Sequence, residues 1–151
     1  MRRIAIPALR FSSWYAWKNR REIPGCNYPG VYVIAITRRK LAGCRVDWKD
    51  VSYIGMSKSK NGLNGRWSQF QNSIHGRDGH SGGWTIYKKL GHYNRWKRKL
   101  FVAAMPVKCN PHKQTPTDLR LMGWVVYLEY EARSVFCQRS PKRGKPRYNK
   151  Q

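Results

Sequence analysis

The acids are scarce enough to be considered one by one. Against 31 lysines and arginines stand only seven Asp and Glu, a formal net charge of +24. Two of the three glutamates, Glu129 and Glu131, flank Tyr130 in a stretch where Leu121, Val125, Leu128, Ala132 and Val135 recur as one helical stripe. A carboxylate pair on an amphipathic helix is a natural place to hold a divalent cation. The plainer alternative pairs both with nearby Lys or Arg. Because the two glutamates flank the stripe by about equal angles on opposite sides, periodicity does not choose between them. A guanidinium comes next: Arg66, in Gly65-Arg66-Trp67-Ser68-Gln69-Phe70, lies at the edge of a second stripe formed by Leu63, Trp67, Phe70 and Ile74. There its stem packs on apolar surface while its planar fork faces a groove. Tyr32 and Tyr53 sit in apolar runs bordered by Gly30 and Gly55; taken singly, each reads as a core aromatic with a hydrogen-bonded hydroxyl. The charge itself seeks polyanions, because lysines and arginines that neutralise phosphates release condensed counterions.

Elements must hold these side chains in place. At 151 residues the chain is one domain, and seven Trp, nine Tyr and four Phe supply a core that a disordered basic tail would lack. Residues 31–37 read as a strand buried on both faces, with Tyr32, Ile34 and Ile36 on one side and Val33 and Ala35 on the other. Residues 51–56 read as its hairpin partner across a long polar loop, 38–50. The stripe from Leu63 predicts a helix ended by the glycines at 76, 79, 82 and 83. A short helix is expected from Trp84 to about Leu90, and a third strand over 100–107. Thr115, Pro116 and Asp118 form the clearest helix start, as cap, first position and first-turn carboxylate. That helix should stop before Pro141, leaving a basic tail. The expected fold is α+β: a small, three-stranded, mainly antiparallel sheet flanked by helices over 30–151, preceded by a basic aromatic arm or short helix over 1–29.

Other classes are disfavoured. Cys26, Cys44, Cys109 and Cys137 form no CxxC pair, and Cys109 with His112 lacks a second ligand pair, so reduced thiols in or near the core are expected. The apolar run Ile4 to Leu9 is broken by Pro7 and is too short for a signal peptide. No span approaches the roughly 20 apolar residues of a membrane helix, and no helix pairs one apolar with one basic face. A cytoplasmic setting with no membrane partner is the expectation.

Order and company give the tyrosines more weight than either has alone. Pro29-Gly30-Val31-Tyr32 followed by Ser52-Tyr53-Ile54-Gly55 resembles the two half-motifs that name the GIY-YIG endonuclease family. The segment around Arg66 resembles the family's arginine helix, Gly79-His80-Ser81 stands where some members carry a histidine, and Arg147-Tyr148-Asn149 resembles the terminal tyrosine-asparagine element. The resemblance runs from Pro29 to Asn149. It favours Glu131 over Glu129 as the family's glutamate, by its spacing to Val135, and leaves Glu129 a supporting or salt-bridged role. The loop between the half-motifs and the segment from Gly55 to Arg66 are longer than the family pattern.

The resemblance implies hydrolysis of DNA phosphodiesters with one Mg²⁺ or Mn²⁺ held by Glu131, acting as a Lewis acid. Arg66 would meet charge developing on the phosphate. Tyr32 would be the general base, Tyr53 would orient water or phosphate, His80 would contact the site and Asn149 would buttress it. Lys58, Lys60, Arg95 and Lys97 are the candidate contacts to nucleic acid. Double-stranded DNA is the expected partner, with RNA open beside it, and recognition falls to the arm, the loops or a homodimer, as in compact restriction-type members; phage, repair and mobile-element roles stay open. The rival is a non-enzymatic DNA- or RNA-binding protein that uses Tyr87-Lys88-Lys89 and the basic stretch 95–99 for stacking and phosphate contacts.

Overall fold

The computed structural model describes residues 7–150. Its centre is a four-stranded antiparallel sheet in the order β1-β4-β2-β3, formed by Tyr15–Ala16, Leu100–Pro106, Gly30–Ile36 and Tyr53–Ser57. The architecture is α+β as expected, but the sheet has one strand more. The extra strand is β1, which pairs Tyr15 with Val102 and Ala16 with Phe101. Two residues are too few to show an alternating pattern, so β1 was invisible among the surrounding arginines and tryptophans. Trp14 and Trp17 beside it are each 1% exposed. The basic aromatic segment is thus packed into the domain from Pro7 onward, while its first six residues lie outside the described ones.

Helices cover both faces of the sheet. On one face Tyr32 and Ile34 pack with Leu63, Trp67, Phe70 and Ile74 of α1, Gly62–Ile74, and with Ile86 of α2, Ser81–Leu90. On the other, Val31, Val33 and Ala35 meet Val125, Leu128, Ala132 and Phe136 of α3, Pro116–Arg139. Burial of β2 on both faces follows its uninterrupted apolar run. The Thr115 hydroxyl accepts from the Asp118 backbone N–H, and the Asp118 carboxylate accepts from that of Thr115, a reciprocal cap at the predicted start of α3. The inward stripe of α3 ends on Phe136; Val135 is only half-buried.

Gly82 and Gly83 lie inside the first turn of α2, not in the break before it, so this helix starts earlier than expected. A Cβ on Gly82 would come 2.5 Å from the Tyr53 ring, and one on Gly83 would come 2.9 Å from Ser73 Cβ. Glycine here lets α2 approach α1 and β3 closely, a tertiary demand that local propensity does not display. Cys26 and Cys109 are buried, whereas Cys44 and Cys137 are exposed, all four free thiols. Among the described residues no helix is long and apolar enough to cross a membrane.

Candidate active site

The chemistry-bearing residues gather at the β3 edge of the sheet. Tyr32 on β2 and Tyr53 on β3 present their rings to the same face, with ring centroids 6.1 Å apart. Register aligns Tyr32 with Gly55, and a Cβ at Gly55 would stand 2.6 Å from the Tyr32 hydroxyl, so glycine leaves the space that the phenol fills. His80 caps α2 beside them. Its backbone N–H donates to Ser73 Oγ, tying the start of α2 to the end of α1.

The hydrogen bonds settle the state of the His80 ring. The backbone N–H of Gly83 donates to Nδ1 at 3.1 Å, so Nδ1 carries no hydrogen. The hydrogen of a neutral imidazole must then sit on Nε2, which donates to Tyr32 Oη at 2.9 Å. Burial, reinforced by the positive charge of Arg66, pushes the imidazole pKa down to about 3. His80 is a fixed neutral donor, not a titrating acid or base near neutrality.

The two phenols differ. Tyr32 is 0% exposed, and burial above all drives its pKa well above the ordinary range. Tyr53 is 8% exposed and its pKa is raised too, again chiefly by burial. With its oxygen accepting from His80, the Tyr32 hydroxyl is left to donate towards Tyr53, whose hydroxyl acts on it in turn. The donor sequence therefore runs from His80 through Tyr32 to Tyr53. Tyr53 also lines an open recess of about 260 Å³ with Gly82, Arg133, Asn149 and Lys150. It is the phenol that meets solvent.

Arg66, half-buried on α1, is steadied by a 2.9 Å hydrogen bond to Gln69 Oε1. Its charge acts on Tyr32, Tyr53, His80 and Glu129 alike. Glu129 is the carboxylate that reaches this group. It lies 3.3 Å from Arg133, one turn on, and burial raises its pKa while Arg133 and Arg66 lower it. Glu131, two residues further, does not figure among the charges acting on either tyrosine. The flank of α3 facing the β3 edge thus carries Glu129, a choice that helix periodicity alone had left open.

Asn149 docks completely. Its Oδ1 accepts from the Ile54 backbone N–H and its Nδ2 donates to the Ile54 carbonyl, both at 2.9 Å. This side-chain amide satisfies both outward backbone groups of Ile54 on edge strand β3, as a neighbouring strand would. The Tyr148 N–H donates to the Ser52 carbonyl, and the Arg143 guanidinium donates to the Lys49 and Val51 carbonyls. The tail is a clasp along the strand that carries Tyr53.

Tyr32, Tyr53, Arg66, His80 and Asn149 are therefore brought together, while Glu131 is not. Comparison with protein-family models, with curated proteins and with solved structures finds nothing that matches the chain.

Among the described residues no group of three or more His, Cys, Asp or Glu converges. A magnesium site does not require one, since Mg²⁺ commonly binds through one or two carboxylates and keeps water and substrate phosphate for the rest. The half-buried Glu129 carboxylate beside Arg66 fits that donor set. Lys58 and Lys60 are exposed in the loop before α1; Arg95 and Lys97 are exposed in the turns before β4, outside this cluster. Sequence reasoning missed Arg133, Lys150 and Gly82. Only Arg133 left a signal, its four-residue spacing from Glu129.

Proposed function

We propose that the chain is a metal-dependent endonuclease that hydrolyses DNA phosphodiester bonds, with a GIY-YIG-type fold and site. The observation that carries this reading is the position of Arg66: one guanidinium acts on two phenols, a neutral imidazole and a carboxylate supplied by separate elements. A purely structural cluster gives no reason to hold a half-buried cation whose charge acts on two phenols, an imidazole and a carboxylate at once. Perturbed groups of this kind concentrate at functional sites.

The roles follow from exposure. Arg66 grips the phosphate and balances charge building on its oxygens. Tyr53, facing the recess, takes the proton of the attacking water as its phenolate, a form that burial opposes and the charges of Arg66 and Arg133 favour. The negative charge on that oxygen before the transfer is met by the Tyr32 O–H, itself polarised by the Nε2–H of His80. Tyr32, at 0% exposure, stands behind this step and positions the phenol that performs it. Glu129, in place of Glu131, would hold the divalent cation, and Arg133 fixes its carboxylate. A bound Mg²⁺ or Mn²⁺ would supply Lewis-acid relief of charge on the phosphate and departing oxygen.

Nicking of supercoiled plasmid in Mg²⁺, with and without EDTA, tests the reading. Wild type should nick, EDTA should stop it, and Arg66→Ala and Glu129→Gln should each lose at least about a hundredfold, as for loss of one transition-state donor. Glu131→Gln should stay within a few-fold of wild type. Plasmid binding with no nicks in either Mg²⁺ or Mn²⁺ would instead support the non-enzymatic binder.

A further inference from the structure

A second concavity lies at the β1 edge of the sheet, two to three strand spacings or roughly 10–14 Å from Tyr53. It is an open cavity of about 580 Å³ lined by Phe101 of β4, Tyr93, Lys18, Lys40, Lys97 and Arg98. The four cations come from three separate stretches of the chain, so the fold, not a single local charge run, brings them together. Among the described residues none of the four makes an ion pair. Like charges focused on one recess repel each other and raise the local concentration of an anionic ligand. Tyr93 packs edge-on against Trp96, ring centroids 5.6 Å apart.

We infer that this cavity is a second nucleic-acid site, separate from the tyrosine cluster, that takes an unpaired strand. The volume falls in the roughly 300–1,000 Å³ range of cavities that enclose organic ligands. A cationic surround about a recess that presents the half-buried Tyr93 ring matches single strands, whose backbone follows positive charge while bases stack on aromatic rings. A duplex keeps its bases stacked inside and offers such a recess only phosphates. The site binds strand next to the place of reaction and does not depend on whether the chain cuts.

Binding is therefore measured in EDTA, by fluorescence anisotropy with a short fluorescein-labelled oligothymidylate between about 50 and 200 mM salt. Lys40→Gln/Lys97→Gln removes two rim charges; Lys108→Gln/Lys142→Gln removes two exposed lysines elsewhere and leaves the same net charge. Each phosphate contact on a single strand contributes about 0.7 to the slope of log K against log salt, so the rim variant should lose about 1.4 from that slope and bind at least tenfold more weakly than the control variant. Equal weakening of the two variants would reduce the cavity to part of a diffuse field and overturn the inference. So would equal competition by a blunt duplex of the same length. A bromouracil-substituted strand supplies a measurement on the unmodified chain: photo-crosslinks should map to Tyr93 or Phe101, and crosslinks confined to other segments would refute the site.

Discussion

Acidification should destabilise this protein through one imidazole. His80 is 2% exposed, its Nδ1 is occupied by the Gly83 N–H, and its pKa is pushed from 6.5 down to about 3. The unfolded chain then binds a proton that the folded chain refuses. Stability is fully present above pH 6.5 and falls as pH drops from there through about 3. With 1.36 kcal/mol per unit, the step from pH 7 to pH 5 costs about 2 kcal/mol, which for a domain of this length lowers Tm by about 4–8 °C. Glu129, whose pKa is raised, pulls the other way: its protonation favours the folded state as pH falls through its folded value. The comparison must therefore isolate His80. His80→Asn keeps a side-chain oxygen at a position where Asn is a favoured helix cap, and removes the titrating ring. Urea unfolding at pH 7, 6 and 5 should show the wild type losing the 2 kcal/mol and the variant losing much less. Parallel pH dependences for the two proteins would refute the buried neutral imidazole, and with it the fixed Nε2–H donor on which Tyr32 depends.

The phenols can be separated by kinetics: Tyr53→Phe should cut nicking by about 10²–10⁴-fold, the range for a positioned acid-base group, and Tyr32→Phe by about tenfold, since it removes one hydrogen bond behind the reacting oxygen. A larger loss from Tyr32→Phe would return the base to the buried residue. Asn149→Ala strips two buried hydrogen bonds and leaves the Ile54 N–H and carbonyl exposed to a poorer partner, so about 2–4 kcal/mol of stability should go, read by thermal unfolding. An unchanged Tm with lost nicking would mean that the amide touches substrate instead. Gly82→Ala improves local helix propensity by up to about 1 kcal/mol but drives a Cβ to 2.7 Å from Tyr53 Oη; nicking should fall while Tm holds. Full activity in this variant would show that the Tyr53 position tolerates displacement.

Much of the scaffold was legible because it rests on local physics. The α1 stripe and the cap of α3 are visible as spacing and residue type, and all four stripe residues of α1 are at 0% exposure. The double burial of β2 follows from its lack of polar alternation. What was not legible depends on contacts distant in sequence. The Asn149 clasp closes on a partner 95 residues away; the resemblance marks Asn149 as a buttress, but nothing near position 149 names the Ile54 backbone that it grips. Glu129 and Glu131 are equivalent on an isolated helix; only the way α3 lies against the sheet distinguishes the flank beside β3 from the other.

The same limit explains why the proposed mechanism exchanges the tyrosine roles. Tyr32 and Tyr53 occupy similar strands, and from sequence alone either phenol can face the substrate. Strand order breaks the symmetry. β2 has a neighbour on each side, β4 and β3, whereas β3 has only one. A ring on the inner strand, covered by α1, is dehydrated and held as a hydroxyl by its environment. A ring on the edge strand retains an opening and lies beside the cations of α1 and α3. A base that must exchange a proton with water needs both the opening and the cations, so the outer tyrosine has the geometry for the reaction and the inner one has the hydrogen-bond chain to support it.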